Sequence, residues 1–258
     1  MRNLLKEEGY KSVRGVTIYI CIAASIVLFL LNWLISIDAS HSWQELGINM
    51  TQYANMNDFI MVFCLVYVCG EFARGTMKNY TAVGISKGKI FLSKFIKVGV
   101  SMLILFVLNM LLSLLTFDYN SGGIGFESGL FLYMTFYNLL IILQVICVGV
   151  SLAFLIRSIG GYIGITLGIE FLYTILAGVA IFSGLMNMGM PYANVGSIPA
   201  LTRFLLYLYN IVPSWTTYYL ALTNVPLFEQ IFIMAAPVLV SGIMISWAYL
   251  NFKRRDIK

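Results

Sequence analysis

Long apolar stretches separated by polar breaks dominate the chain. Six of them come close to the roughly 20 apolar residues needed to cross a hydrocarbon layer about 30 Å thick. They are Val16–Ile37, Met56–Phe72, Phe95–Thr116, Leu130–Ile156, Gly160–Leu185 and Ile231–Phe252. The second is short and is expected to continue as helix past the membrane boundary. The first begins only after a polar, charged stretch and lacks a small-residue cleavage pattern, so it reads as a retained helix and not as a removed signal peptide. The pattern predicts an all-α membrane protein of six transmembrane helices, built as a single domain over residues 1–258.

Composition strengthens that reading. With 60% hydrophobic residues, 10% charged residues and a mean hydropathy of +0.89, the chain has too little polar surface to cover a soluble domain of 258 residues. Charge then orients the spans. Of the 16 Lys and Arg residues, all but Arg203 flank the spans on one side: before the first span, between spans two and three, at Arg157 between spans four and five, and after the last. The positive-inside rule makes both termini and the loop between spans two and three cytoplasmic. Asp38–Asn55, Phe117–Gly129 and Met186–Gln230 then face outward. The net charge of +5 needs no nucleic acid to explain it, because Lys and Arg beside a membrane attract anionic lipid headgroups at about 1 kcal/mol each.

Two segments interrupt the spans. In residues 1–15, Leu4, Leu5, Tyr10 and Val13 lie among Lys6, Lys11 and Arg14, which predicts an amphipathic helix in the inner interface. Residues 186–230 are long for a connection and not uniformly polar. Within them Leu201–Ile211 is apolar but too short to span, and Pro199, Pro213 and Pro226 prevent a continuous helix. A re-entrant or interfacial helix capping the outer end is expected there. A seventh span is the alternative, but it would place the basic Lys253–Lys258 end outside.

The loop between spans two and three is the most informative stretch. Glu71 ends the second span, and Arg74 and Lys78 follow at helical spacing on one face. Gly75 permits close approach, and Gly84 can break the helix before Ser86. Ser86 is a candidate N-cap for a second helix on which Lys87, Lys94 and Lys97 recur on one side. The expected result, over residues 73–94, is a helix–turn–helix elbow. It is not a nucleotide site: Gly84 to Gly88-Lys89-Ile90 has the wrong spacing for a phosphate-binding loop and lacks the Ser or Thr that would ligate magnesium. No other segment supplies such a loop, so ATP hydrolysis by this chain is not expected.

Other chemistry is sparse. Cys21, Cys64, Cys69 and Cys147 fall inside apolar spans, where a thiol is a small hydrophobe, so neither disulfides nor a metal site is expected. His41 is the sole histidine and falls in an outer loop, which removes histidine-dependent intramembrane hydrolysis. No catalytic or cofactor-binding residue is assigned. Glu170 stands near the middle of the fifth span, where a carboxylate is costly and faces a bundle interior or an aqueous cavity. It is a candidate for contact with a cationic peptide or for a subunit interface, and equally for a protonated group bonded to a neighbouring helix. Asn109, Asn138 and Gln144 are further intramembrane polar groups, candidates for the pathway or for interhelical hydrogen bonding. Gly160, Gly164 and Gly168 form a small-residue ridge suited to helix packing.

Taken together, Glu71, Arg74-Gly75-Thr76, Gly84, Ser86-Lys87 and Lys94, between spans two and three of a chain of this length, resemble the permease subunits of type-2 ABC exporters. The resemblance implies two permeases, identical or related, joined to two cytoplasmic ATP-binding subunits that carry ATP and magnesium. It implies an elbow acting as coupling helix, an interfacial N-terminal helix and an outer cap before span six, in a bacterial cell membrane. Carried onto this sequence, Glu71, Arg74, Gly75, Thr76 and Lys78 would form the partner-facing elbow, with Ser86 and Lys87 supporting it. Within the family, small permeases of this kind are similar to those that export, or give immunity to, antimicrobial peptides such as lantibiotics and bacitracin, and to peptide-toxin exporters. The resemblance therefore implies an amphipathic or hydrophobic substrate; membrane lipids are a further expected partner of the chain, and the charge pattern calls for no nucleic acid. The rival functions are an ion- or proton-coupled secondary transporter, and a non-transporting immunity or scaffold protein. The first would normally show several midplane ionisable residues and inverted repeats, whereas this chain offers chiefly Glu170.

Overall fold

The structure, a computed structural model, describes residues 2–35, 56–120, 128–180 and 227–254. Among these residues all regular structure is helical. A short helix α1 (Arg2–Arg14) precedes α2 (Val16–Ile35), the two meeting at Gly15, whose amide still bonds the Lys11 carbonyl at 2.9 Å. The second apolar stretch forms α3 (Met56–Cys64), a π-helical turn (Leu65–Cys69) and α4 (Gly70–Ala73). After a bend comes α5 (Thr76–Ala82), then the long α6 (Lys87–Asn120), α7 (Ser128–Ile156), α8 (Ile159–Ala180) and α9 (Leu227–Arg254).

Helices thus stand at each of the six apolar stretches, with bounds that differ locally. The third runs from Lys87 to Asn120, so helix extends well beyond the apolar core at both ends. Among the described residues three helical stretches are long and apolar enough to cross a membrane, Lys87–Leu114, Thr135–Ile156 and Met234–Arg254. Asp58–Ala73 with Thr76–Ala82, bent by 64°, makes up to a fourth, while Val16–Leu31 and Ile159–Ile169 are shorter apolar helices. The segment expected to cap the outer end, including Leu201–Ile211, lies outside the described residues, as does the outer loop carrying His41.

Helix α7 is the centre of the bundle. Helix α9 packs along it most extensively, and α3, the π turn and α6 cover other faces. Phe63, Cys64, Val68, Met102, Leu105, Ile142, Val150 and Ala153 are wholly buried between these helices. In lipid, such burial gains little from water exclusion; close packing and interhelical hydrogen bonds hold the helices instead. Gly149 shows the closeness required. A Cβ added there would stand 3.0 Å from Ile60 Cγ1 and 3.4 Å from both Cys64 Sγ and the Tyr162 hydroxyl, so a glycine lets α3, α7 and α8 converge. Ser25 and Asn109 tie α2 to α6, the Asn109 amide donating to the Ser25 hydroxyl at 2.8 Å and to the Leu105 carbonyl at 2.8 Å. Pro237 lies inside α9, where it lacks an amide proton; its carbonyl accepts the Ser241 hydroxyl at 2.6 Å.

At one end of the bundle four phenylalanines interlock. Phe154 lies 4.7 Å from Phe91 and 4.8 Å from Phe252, with Phe72 edge-on to Phe154 at 5.6 Å, so α4, α6, α7 and α9 share one aromatic knot. Arg157 caps it. Its guanidinium lies 5.5 Å and 5.6 Å from the Phe72 and Phe252 ring centres, and its backbone adopts a left-handed φ of 61° at the α7–α8 turn. That conformation costs a non-glycine residue roughly 1–2 kcal/mol, and the Arg157 amide closes the end of α7 on the Ala153 carbonyl at 3.0 Å.

Candidate functional site

The elbow is made by two left-handed glycines. Gly75, with φ +70°, stops α4 and starts α5, its carbonyl accepting the Lys78 amide at 3.0 Å. An added Cβ at Gly75 would meet nothing within 4 Å, so backbone conformation, and not the expected close approach, calls for glycine here. Gly84, with φ +84°, ends α5 in a Schellman arrangement: Ile85 N–H reaches the Tyr80 carbonyl and Gly84 N–H the Thr81 carbonyl, both at 3.0 Å. Ser86 then opens α6, its carbonyl accepting the Lys89 and Ile90 amides at 2.9 and 3.2 Å. Gly88 sits inside that first turn, where an added Cβ would come 3.2 Å from the Tyr249 hydroxyl. The Gly84–Lys89 stretch is therefore a helix junction packed under α9.

The bend at Gly75 breaks the single face expected for Glu71, Arg74 and Lys78. Arg74 and Lys78 are exposed, Thr76 is half-buried, and Ser86 is exposed. Lys87 is half-buried and donates to the Lys253 carbonyl at 3.1 Å, fastening the root of α6 to the end of α9. Glu71 turns the other way, into the protein, at 5% exposure.

Inside, Glu71 meets a cluster of charges from three elements. Lys94, at 0% exposure on α6, holds Glu71 Oε1 at 2.6 Å and also donates to Glu8 Oε1 of α1. Glu8 uses its other oxygen to accept Lys97 at 2.8 Å, and the Lys97 ammonium lies 4.2 Å from the Tyr67 ring centre. Tyr80 of α5 closes the outer side. Its hydroxyl accepts Lys11 at 2.9 Å and lies 3.2 Å from Glu8 Oε1, while Lys11 pairs with Glu7 at 2.6 Å on the surface. Glu71 Oε2 is buried and has no hydrogen-bond partner among the described residues. Burial pushes the Glu8 carboxyl up, but the Lys94 and Lys97 ammonium groups outweigh it and hold the acid below its ordinary value. Burial also pushes the Tyr80 hydroxyl up, to about 12. For Lys11 burial works downward, but the bonds to Glu7 and Tyr80 prevail and its value is raised.

The helical spacing puts Lys94 and Lys97 on one side of their helix, and the structure turns that side inward against Glu8, Tyr80 and Tyr67, which the local sequence pattern does not single out. The one available signal was Glu8 itself, an acid set beside apolar positions of an amphipathic helix. Its two cations stand 86 and 89 residues away, beyond any local pattern.

The remaining candidates lie elsewhere. Asn109, Asn138 and Gln144 are each at 0% exposure inside the bundle, Asn109 in the pair with Ser25. Gly160, Gly164 and Gly168 lie exposed along α8, and an added Cβ at each meets nothing within 4 Å among the described residues. Glu170 belongs to α8, but its side chain lies outside the described residues.

The arrangement of a short leading helix, a charged elbow and apolar helices has a counterpart among known families. The family described as ABC-2 family transporter protein matches residues 4–178, which take in α1, the elbow and most of α8. No curated protein sequence matches the chain. With that match spanning more than half of its length, the chain belongs to the ABC-2 transporter family, as a permease of an ABC exporter embedded in a membrane by its apolar helices.

Proposed function

We propose that the chain is the permease subunit of an ATP-driven exporter in a bacterial cell membrane, with six spans, both ends cytoplasmic and the elbow receiving motion from a separate ATP-binding subunit. The observation that carries this reading is the family match over residues 4–178, from α1 through the elbow into α8. Exposed Arg74 and Lys78 offer cations to a soluble partner, while buried Glu71 links that surface to the base of α6. ATP and magnesium belong to the partner, and two such subunits would serve two permeases, identical or related. The substrate class that best suits so apolar a chain is an amphipathic or hydrophobic molecule, an antimicrobial or toxin peptide above all.

Co-expression with a candidate ATP-binding subunit tests the proposal. Co-purification of the two, followed by vanadate-sensitive peptide export from the donor side in proteoliposomes, is the expected result. Arg74→Glu is expected to weaken co-purification, and Glu71→Ala to leave binding intact but lower the transport obtained per ATP hydrolysed. Unchanged assembly and transport in both variants would remove the elbow from the coupling path.

A further inference from the structure

The geometry points to Lys94 as a positioning residue that makes α1, the elbow and the root of α6 move as one body, so that α1 transmits motion as well as lying beside the membrane. This inference rests on the reading of the chain as a permease driven through its elbow.

Lys94 is fully buried and shared between two carboxylates from different elements, Glu8 of α1 and Glu71 of α4. Glu8 holds a second cation, Lys97, one turn further along α6. If the elbow moved alone, Glu71 would leave Lys94 while its other oxygen already lacks a partner. If α1 stayed behind, Glu8 would lose two cations at once. Either separation strands buried charge, the costliest state for such a cluster. Tyr80 adds a second clasp, since α5 reaches both Lys11 and Glu8 of α1 through one hydroxyl. The low-energy displacement is therefore a joint one. Its far end is Gly15, where α1 passes directly into α2, and α2 is bonded to α6 again through Ser25 and Asn109. Motion entering at the elbow thus has two routes into the bundle, through α6 itself and through α1 into α2.

The test uses the permease assembled with its ATP-binding subunit. The four native cysteines are buried, so spin labels go to introduced ones at exposed positions: Lys6 on α1, Asn79 on α5 and Leu132 on α7, at the end of that helix opposite the aromatic knot. Distances are compared between nucleotide-free and vanadate-trapped complexes. The expected result is an Asn79–Leu132 distance that shifts while the Lys6–Asn79 distance stays constant to within about 2 Å, the scale of small helix movements. In Glu8→Gln and Lys94→Met the Lys6–Asn79 distance should broaden and change on trapping, and Lys94→Arg should restore its constancy. Tyr80→Phe, which removes only the outer clasp, should give a partial effect and covers the case in which the buried variants do not assemble. A Lys6–Asn79 distance that changes in the wild type as much as Asn79–Leu132, or that stays fixed in the variants, overturns the inference alone. An Asn79–Leu132 distance that does not respond to trapping overturns the elbow-driven reading and the inference with it.

Discussion

Lys94 on α6 and Glu71 at the end of α4 form a 2.6 Å ion pair sealed from solvent, with Lys94 at 0% exposure. Because Lys94 also serves Glu8, its loss leaves two buried carboxylates without their shared cation. Removing one partner of a buried pair costs about 3–5 kcal/mol. Lys94→Met is expected to lower thermal stability in detergent by that order, and Lys94→Arg by much less. The triple change Glu8→Gln, Glu71→Gln, Lys94→Met should recover most of the loss, because no charge is then stranded. A thermal unfolding series of the purified permease checks all three.

The docking of α1 should depend on pH in a defined way. Glu8 has its folded value below the ordinary 4.5, so its contribution is present above that pH and is lost as pH falls through the lower folded value. Lys11 is raised above 10.5 and Tyr80 above 10.0, the latter to about 12. Their contributions are complete below those ordinary values and disappear as pH climbs through the folded ones. A fluorophore on exposed Tyr10→Cys should therefore report a docked plateau from roughly pH 5 to 10, with release on both sides. In Glu8→Gln the acid limb should be absent.

Arg157 combines a left-handed backbone with a cation held over Phe72 and Phe252, so its substitutions separate the two contributions. Arg157→Ala keeps the strain and loses the ring contacts. Arg157→Gly loses the contacts but relieves the strain, and should be more stable than the alanine variant by about 1 kcal/mol. Equal unfolding midpoints for the two would mean that φ at this turn relaxes after substitution.

Two glycines should respond oppositely to an added methyl group. Gly149→Ala drives a carbon to 3.0 Å from Ile60 Cγ1 at the meeting of α3, α7 and α8, and overpacking of this kind costs about 1–3 kcal/mol. Gly164→Ala on α8 enters open space and should leave the stability of the isolated chain unchanged or slightly improved, since glycine is the poorer helix former. Thermal unfolding of the two variants side by side is the check.

What could be read in advance follows the range of the forces involved. The apolar stretches, the stop at Gly84 and the start at Ser86 depend on neighbouring residues, and the structure places helices and junctions there. The inward turn of Glu71 depends on the backbone conformation of Gly75 and on the phase of the π turn, neither of which leaves a hydropathy signature. The burial of Lys94 and Lys97 depends on Glu8, brought alongside by tertiary packing, which a count of charges along the chain does not register. Arg157 reads as one more topology-setting cation, and its aromatic contacts appear only when α4 and α9 converge.

The π turn at Leu65–Cys69 acts as an angular index for the elbow. The Gly70 amide reaches back five residues to the Leu65 carbonyl, so this turn carries one residue more than an α-helical turn. Each residue of an α-helix advances the side-chain direction by about 100°. If the same five residues were wound as an ordinary α-helix, Glu71 would be swung by that angle, away from Lys94, with every charge in the chain still in place; deleting one residue from Leu65–Cys69 would restore an α-helical turn and keep Glu71 near its present direction. The pairing of Glu71 with Lys94 is thus a matter of timing along the helix: the way an apolar turn takes up one surplus residue sets which way an acid points several residues later.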